Sequence, residues 1–127
     1  MGSIKTEIDV DKRLTTNIAE GRISYEDLSS CIKDYYSGPV TQLNLWDFSG
    51  ADLSKITSDE IMKIINLVKV VIDRSGARAN GKTALVFSKD IGFGLGRMFG
   101  ALSEIEDIQV EYMSFHSISK AREWLGV

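Results

Sequence analysis

Residues 83–100 read TALVFSKDIGFGLGRMFG, and this passage decides the fold class. Ala84, Leu85, Val86 and Phe87 form a continuous apolar run, the pattern of a parallel strand covered on both faces. Ser88, Lys89 and Asp90 then turn the chain into a helix that carries Gly92, Gly96 and Gly100. Glycines spaced i, i+4, i+8 share one helical face and leave a track of bare backbone there. Each costs roughly 1 kcal/mol relative to alanine inside a helix, so three in phase imply that something packs closely on the track. The neighbour is an element of the same chain, a ligand, or a second copy in a homodimer. The first is favoured, because Leu95, Met98 and Leu102 hold the opposite face and the helix must also sit on the sheet.

Outward from that passage the chain alternates strands and helices. Ile4, Thr6, Ile8 and Val10 alternate with charged residues, and Asp11-Lys12 turns into a second extended run over 13–19, predicting an opening hairpin. Ser24 with Asp27 marks the start of a helix whose apolar positions are Leu28, Cys31, Ile32 and Tyr35, ended by Gly38-Pro39. A third strand covers 43–48. Thr57 and Glu60 then cap a long helix with the stripe Ile61, Ile64, Ile65, Val68 and Ile72, closed by Gly76. A loop over 77–82 leads to the apolar strand, which reads as central. Ile108, Val110 and Tyr112 give a half-exposed last strand at an edge, and Ser117 opens a final helix with Ile118, Ala121, Trp124 and Leu125 inward. The order is ββαβαβαβα: a single α/β domain over 1–127, with four helices on a mostly parallel five-stranded sheet whose first strand is antiparallel.

Composition narrows the function classes. The 127 residues are 43% hydrophobic and 26% charged, as expected of one ordinary globular domain. The net charge of -3, with acids and bases interspersed, argues against nucleic acid, which calls for a concentrated basic face. Cys31 stands alone and on an apolar helical face, so it reads as a small core residue in a reducing, cytoplasmic setting. Lys63, Asn66 and Lys69 interrupt the longest apolar helix, so no membrane span is expected, and no secretory leader is visible. Gly2 with Thr6 matches a myristoylation pattern, but residues 4–10 already read as a strand.

The element order, DFSGADLSKITSDEI over 47–61 and SKDIGFGLGRMFGAL over 88–102 together resemble the STAS-like superfamily, in particular its SpoIIAA-like group. The resemblance spans nearly the whole chain. It implies a domain similar to the antagonists of anti-sigma factors, which bind a protein partner and are switched by phosphorylation of a serine at the start of the second helix. A related branch of the fold, the SEC14 type, implies binding of lipids or other small apolar ligands. The matching phosphorylation positions are Thr57 and Ser58. Here the chain departs from the Asp-Ser-Ser-Gly or Asp-Ser-Thr-Gly pattern, because Asp59 and Glu60 follow the hydroxyls and no glycine does. Those carboxylates already supply the negative charge that a helix N-terminus favours and would repel a phosphate.

Ligands of open α/β sheets bind outside the carboxyl ends of the strands, which directs attention to Glu20, Arg22, Asp47, Ser49, Asp52, Ser88, Lys89, Asp90 and His116. A Ser-His-Asp set could be drawn from Ser49 or Ser88 with His116 and Asp47, but no G-x-S-x-G elbow is present. One histidine and one cysteine make no zinc set, and Asp47 with Asp52 is too sparse for calcium. The glycines fit neither nucleotide fingerprint, so no cofactor is expected. Lys89 with helix N–H groups could hold an anion, and Arg97 pairs with a carboxylate or caps a pocket wall. The resulting expectation is a non-catalytic regulatory or protein-interaction domain. Its partner surface is the Phe48 to Ser58 loop and the helices after it, with Asp47, Ser49, Asp52, Ser54, Lys89 and Arg97 binding ligand or partner. The alternative is a binder of a small apolar or anionic ligand, a lipid or an acidic metabolite, between the second and third helices and the strand ends.

Overall fold

The computed structural model describes residues 2–37, 41–75, 81–88, 96, 100–101 and 110–127, with backbone alone at 36 and 71–75. Five strands and three helices are present among them: β1 (Ser3–Asp9), β2 (Leu14–Arg22), α1 (Tyr25–Ser37), β3 (Leu43–Asp52), α2 (Ser58–Ser75), β4 (Gly81–Val86), β5 (Val110–Phe115) and α3 (Ile118–Leu125). They make one mixed sheet in the order β1-β2-β3-β4-β5. β1 is antiparallel to β2, and the other neighbours are parallel. The expected α/β architecture is therefore present, with β5 at an edge. β3 takes the central place and β4 lies beside it. Of the expected glycine-bearing helix, Gly96, Gly100 and Ala101 are described, each with helical backbone; Gly92, Lys89, Asp90, Arg97 and the stops at Gly38-Pro39 and Gly76 lie outside the described residues.

Local chemistry sets the helix starts. Ser24 N donates to Asp27 Oδ2 at 3.0 Å while Asp27 N donates to Ser24 Oγ at 3.2 Å, a reciprocal capping box. Thr57 and Glu60 make the same pair at 3.0 and 3.1 Å. Ser117 caps α3, and Gly126 closes it with φ 82, a left-handed conformation that suits glycine.

Strand parity divides the core in two. On one face Trp46, Phe48, Leu85 and Phe87 meet Leu28 and Ile32 of α1 and Ile64 and Val68 of α2. On the other face Leu14, Leu45, Ala84 and Val86 meet Ala121 and Leu125 of α3. The inward set expected for α3 is only half right: Ala121 and Leu125 are buried, whereas Ile118, in the first turn, is 42% exposed. Trp124 is half-buried; its ring lies 5.7 Å from that of Phe115, with Lys82 Nζ 5.1 Å from its centroid.

Strand lengths also differ from expectation. β2 runs on to Arg22 through an irregularity between Ile18 and Glu20, and Glu20, Gly21 and Arg22 pair with Gly50, Ala51 and Asp52. The third strand therefore reaches Asp52, and the connecting loop shrinks to 53–57. β4 begins at Gly81, because Gly81 and Lys82 pair with Val110 and Glu111 of β5. No helix among the described residues is long and apolar enough to cross a membrane.

Candidate functional site

The carboxyl ends of β3, β4 and β5 bring several expected residues together, each engaged locally. Asp47 is 9% exposed; its Oδ1 accepts from Ser49 Oγ at 2.6 Å and from Ser49 N at 3.0 Å. Ser88 Oγ donates to the Ser49 carbonyl at 2.8 Å, and His116 Nδ1 donates to the Phe87 carbonyl at 3.2 Å. Both serine hydroxyls are thus spent on β3, and the hydrogen bonds at this end tie strands to one another. Asp52 Oδ1 accepts from Ser54 N at 3.0 Å and closes the turn after β3. Thr57 Oγ1 is committed to its capping box, while Ser58 is exposed in the first turn of α2. Asp47, Ser49 and Asp52 lie within β3, which reaches Asp52 because β2 continues alongside it, so of the expected Phe48 to Ser58 loop only 53–57 is loop, and Asp47 is buried.

A second feature lies deeper, between the sheet and the two helices α1 and α2. A partly open, mostly apolar cavity of about 100 Å³ lies there. Its sheet wall is aromatic: Trp46 and Phe48 stack with centroids 5.6 Å apart and planes at 10°, and Phe48 and Phe87 at 5.2 Å and 9°. Its helical wall includes Ile32, Ile64 and Val68, and Gly96 also lines it. Leu53 and Ile56 reach it from the loop after β3.

The cavity's polar end comes from a row running straight across the sheet. Thr15 is in register with Asn44, Asn44 with Thr83, and Thr83 with Tyr112. Thr15, Asn44 and Thr83 are all buried. Asn17 Nδ2 donates to Asn44 Oδ1 at 3.1 Å, and Thr15 Oγ1 is 2.8 Å from Thr41 Oγ1. Thr83, 2% exposed, has an Oγ1 with no hydrogen-bond partner among the described residues. Asn44, Thr83 and Tyr112 all line the cavity. Burying a hydroxyl without a partner costs about 1–3 kcal/mol, which sets Thr83 apart from the other polar residues of the row.

This end of the cavity escaped the sequence reading because attention went to the strand ends. A signal was present all the same. Asn44, Trp46 and Phe48 fall on one strand face, as do Thr83, Leu85 and Phe87, so one polar residue leads each inward-facing set. The close approach predicted for the glycine track is intrachain at Gly96, where a Cβ would overlap the Phe87 ring and Ser114 Oγ. At Gly100 an added Cβ would make an ordinary contact, 3.7 Å from the Tyr112 carbonyl oxygen.

No protein-family signature and no curated protein matches this sequence. Among solved structures the chain is similar to an uncharacterised protein of the DUF3478 family with a SpoIIAA-like fold from Shewanella loihica PV-4. The two share 16% identity with a TM-score of 0.55, over 98% of this chain and 93% of that one. With its mixed five-stranded sheet also in place, the chain has the SpoIIAA-like fold.

Proposed function

We propose that this domain is a non-catalytic regulatory module that binds a small apolar molecule in the cavity under α1 and α2. The observation that carries this is the buried Thr83 hydroxyl, without a partner among the described residues, on the wall of a mostly apolar, aromatic-lined space. Cavities of about 150 Å³ hold benzene, so about 100 Å³ suits a group of four to six heavy atoms: a short acyl chain or a compact ring carrying one carbonyl or hydroxyl. A fitting ligand buries apolar surface there while the hydroxyl gains a partner.

A protein partner reads the outcome on the loop over 53–57. Leu53 and Ile56 line the cavity while Ser54, Lys55 and Thr57 face solvent, so filling the space and presenting the loop involve the same short segment. Native mass spectrometry of protein purified from its own host should show a bound small mass. A panel of short-chain fatty acids, alcohols and small cyclic ketones should raise the melting temperature. Thr83→Val keeps the shape and removes the hydroxyl, so the unliganded protein should melt no lower, and affinity for the best panel compound should fall about tenfold. No bound mass, together with no stabilising compound in the panel, would rule out this reading.

A further inference from the structure

β1 has β2 on one side and, among the described residues, nothing paired to its other edge. A strand left with a free row of N–H and C=O groups is a template for another strand, and its sequence decides which partner fits. The sequence of β1 is SIKTEID, with no proline and no bulge against β2.

Lys5 and Glu7 point to one face and form an ion pair at 3.4 Å, with 75% and 56% of their side chains exposed. Ile4, Thr6 and Ile8 point to the other, where they floor an open groove beside Cys31 of α1; Ile8 is 53% exposed. From these features we infer that β1 pairs antiparallel with β1 of a second copy about a two-fold axis through Thr6, joining the two sheets into one.

A two-fold axis normal to the sheet keeps each side chain on its own face, so opposed residues must differ by an even number. Centred on Thr6, the register sets Lys5 opposite Glu7, Glu7 opposite Lys5, Ile4 opposite Ile8, and Ser3 opposite Asp9, and all seven residues pair. Shifting the centre to Lys5 places lysine against lysine. Shifting it to Glu7 places glutamate against glutamate. Both alternatives also leave residues unpaired, so charge selects a single register. The isoleucines that floor the open groove then cover one another.

One feature opposes the pairing: Glu26, Asp27 and Asp34 of α1 line the same groove in each copy. α1 stands over β2, with Cys31 Sγ 3.7 Å from Asn17 Oδ1. Because the groove is open, solvent and salt screen these carboxylates, whereas the two Lys5–Glu7 pairs are directly opposed, one on each side of the axis. An edge of seven residues falls short of a standard interface of roughly 1,200 Å², so the dimer is weak, with a dissociation constant of tens to hundreds of micromolar. The contact uses no residue of the cavity, so its success or failure is independent of ligand binding.

Sedimentation velocity across concentrations up to about 0.5 mM, which spans that range, tests the pairing on four chains. The wild type should dimerise. Lys5→Glu and Glu7→Lys should each associate at least about tenfold more weakly, because each sets like charges opposite one another. An equimolar mixture of these two variants should form a heterodimer, since the first then carries two acids and the second two bases. The double variant K5E/E7K should restore the homodimer. Matching thermal melts, expected for exposed substitutions, show that folding is not the cause. A wild type that stays monomeric, single variants that dimerise as the wild type does, or a mixture that fails to associate would each overturn the inference. A monomeric wild type that instead takes up a labelled Lys-Val-Lys-Val-Lys-Val-Lys peptide would assign the edge to a basic partner strand.

Discussion

Cys31 shows how one residue's chemistry follows from its neighbours. Burial pushes its thiol pKa up, a contact from Thr6 pulls it back by less, and the Asp34 carboxylate adds to the rise. The thiol therefore stays protonated and weakly nucleophilic at neutral pH; the core role its helical position predicts holds only in part, since Cys31 is half-buried and lines the open groove. A raised folded-state pKa means that stability is fully present below the ordinary thiol value of about 8.5 and is lost as pH rises through the folded value. Between those two values the wild type should lose melting temperature more steeply than Cys31→Ser. Equal slopes would show that the thiol is not desolvated. The helical spacing made this residue legible, whereas its contacts with Thr6 and Asn17 on neighbouring strands were not, because they depend on how α1 seats over β2.

Among the elements, the capping boxes were fully legible because every partner lies within three residues. Replacing Thr57 with alanine removes the acceptor for Glu60 N and should cost about 1 kcal/mol, measured by denaturant unfolding, while Thr57→Ser should lose little. An unchanged midpoint for Thr57→Ala would mean that water caps α2 as well as the side chain does. Gly96 gives the opposite case, where spacing announced a close neighbour without naming it. The neighbours are Phe87 and Ser114 of the same chain, so Gly96→Ala should overpack that contact and cost roughly 1–3 kcal/mol without altering the oligomeric state. A variant with a wild-type melting temperature would show that the contact yields at no cost. The reach of β3 to Asp52 was illegible, because it depends on β2 resuming its pairing beyond an irregularity at Ala19.

For the molecule as a whole, the expectation of no hydrolytic chemistry has a direct test. Ser49, Ser88 and His116 engage Asp47 or backbone carbonyls in ways that brace the strand ends. A panel of ester and phosphoester substrates should show no turnover, and Ser88→Ala with His116→Ala should lower stability more than any rate. Turnover abolished in both variants would replace the regulatory reading with an enzyme. The same bracing fits a domain in which the strand ends hold still and the space beneath the helices receives a ligand.

The sequence by itself determined the α/β order, the helix starts, the burial on both faces of 84–87, and the close approach at Gly96. Each of these follows from periodicity or capping within a few neighbouring residues. Tertiary structure alone decided that Asn44 and Thr83 face each other in one register and that the Thr83 hydroxyl, on the wall of a mostly apolar space, ends without a partner among the described residues. It also decided that the Asp47 side is spent within β3. These facts depend on which strands lie side by side and at what offset, and pairing between residues about forty positions apart leaves no periodic trace in either segment.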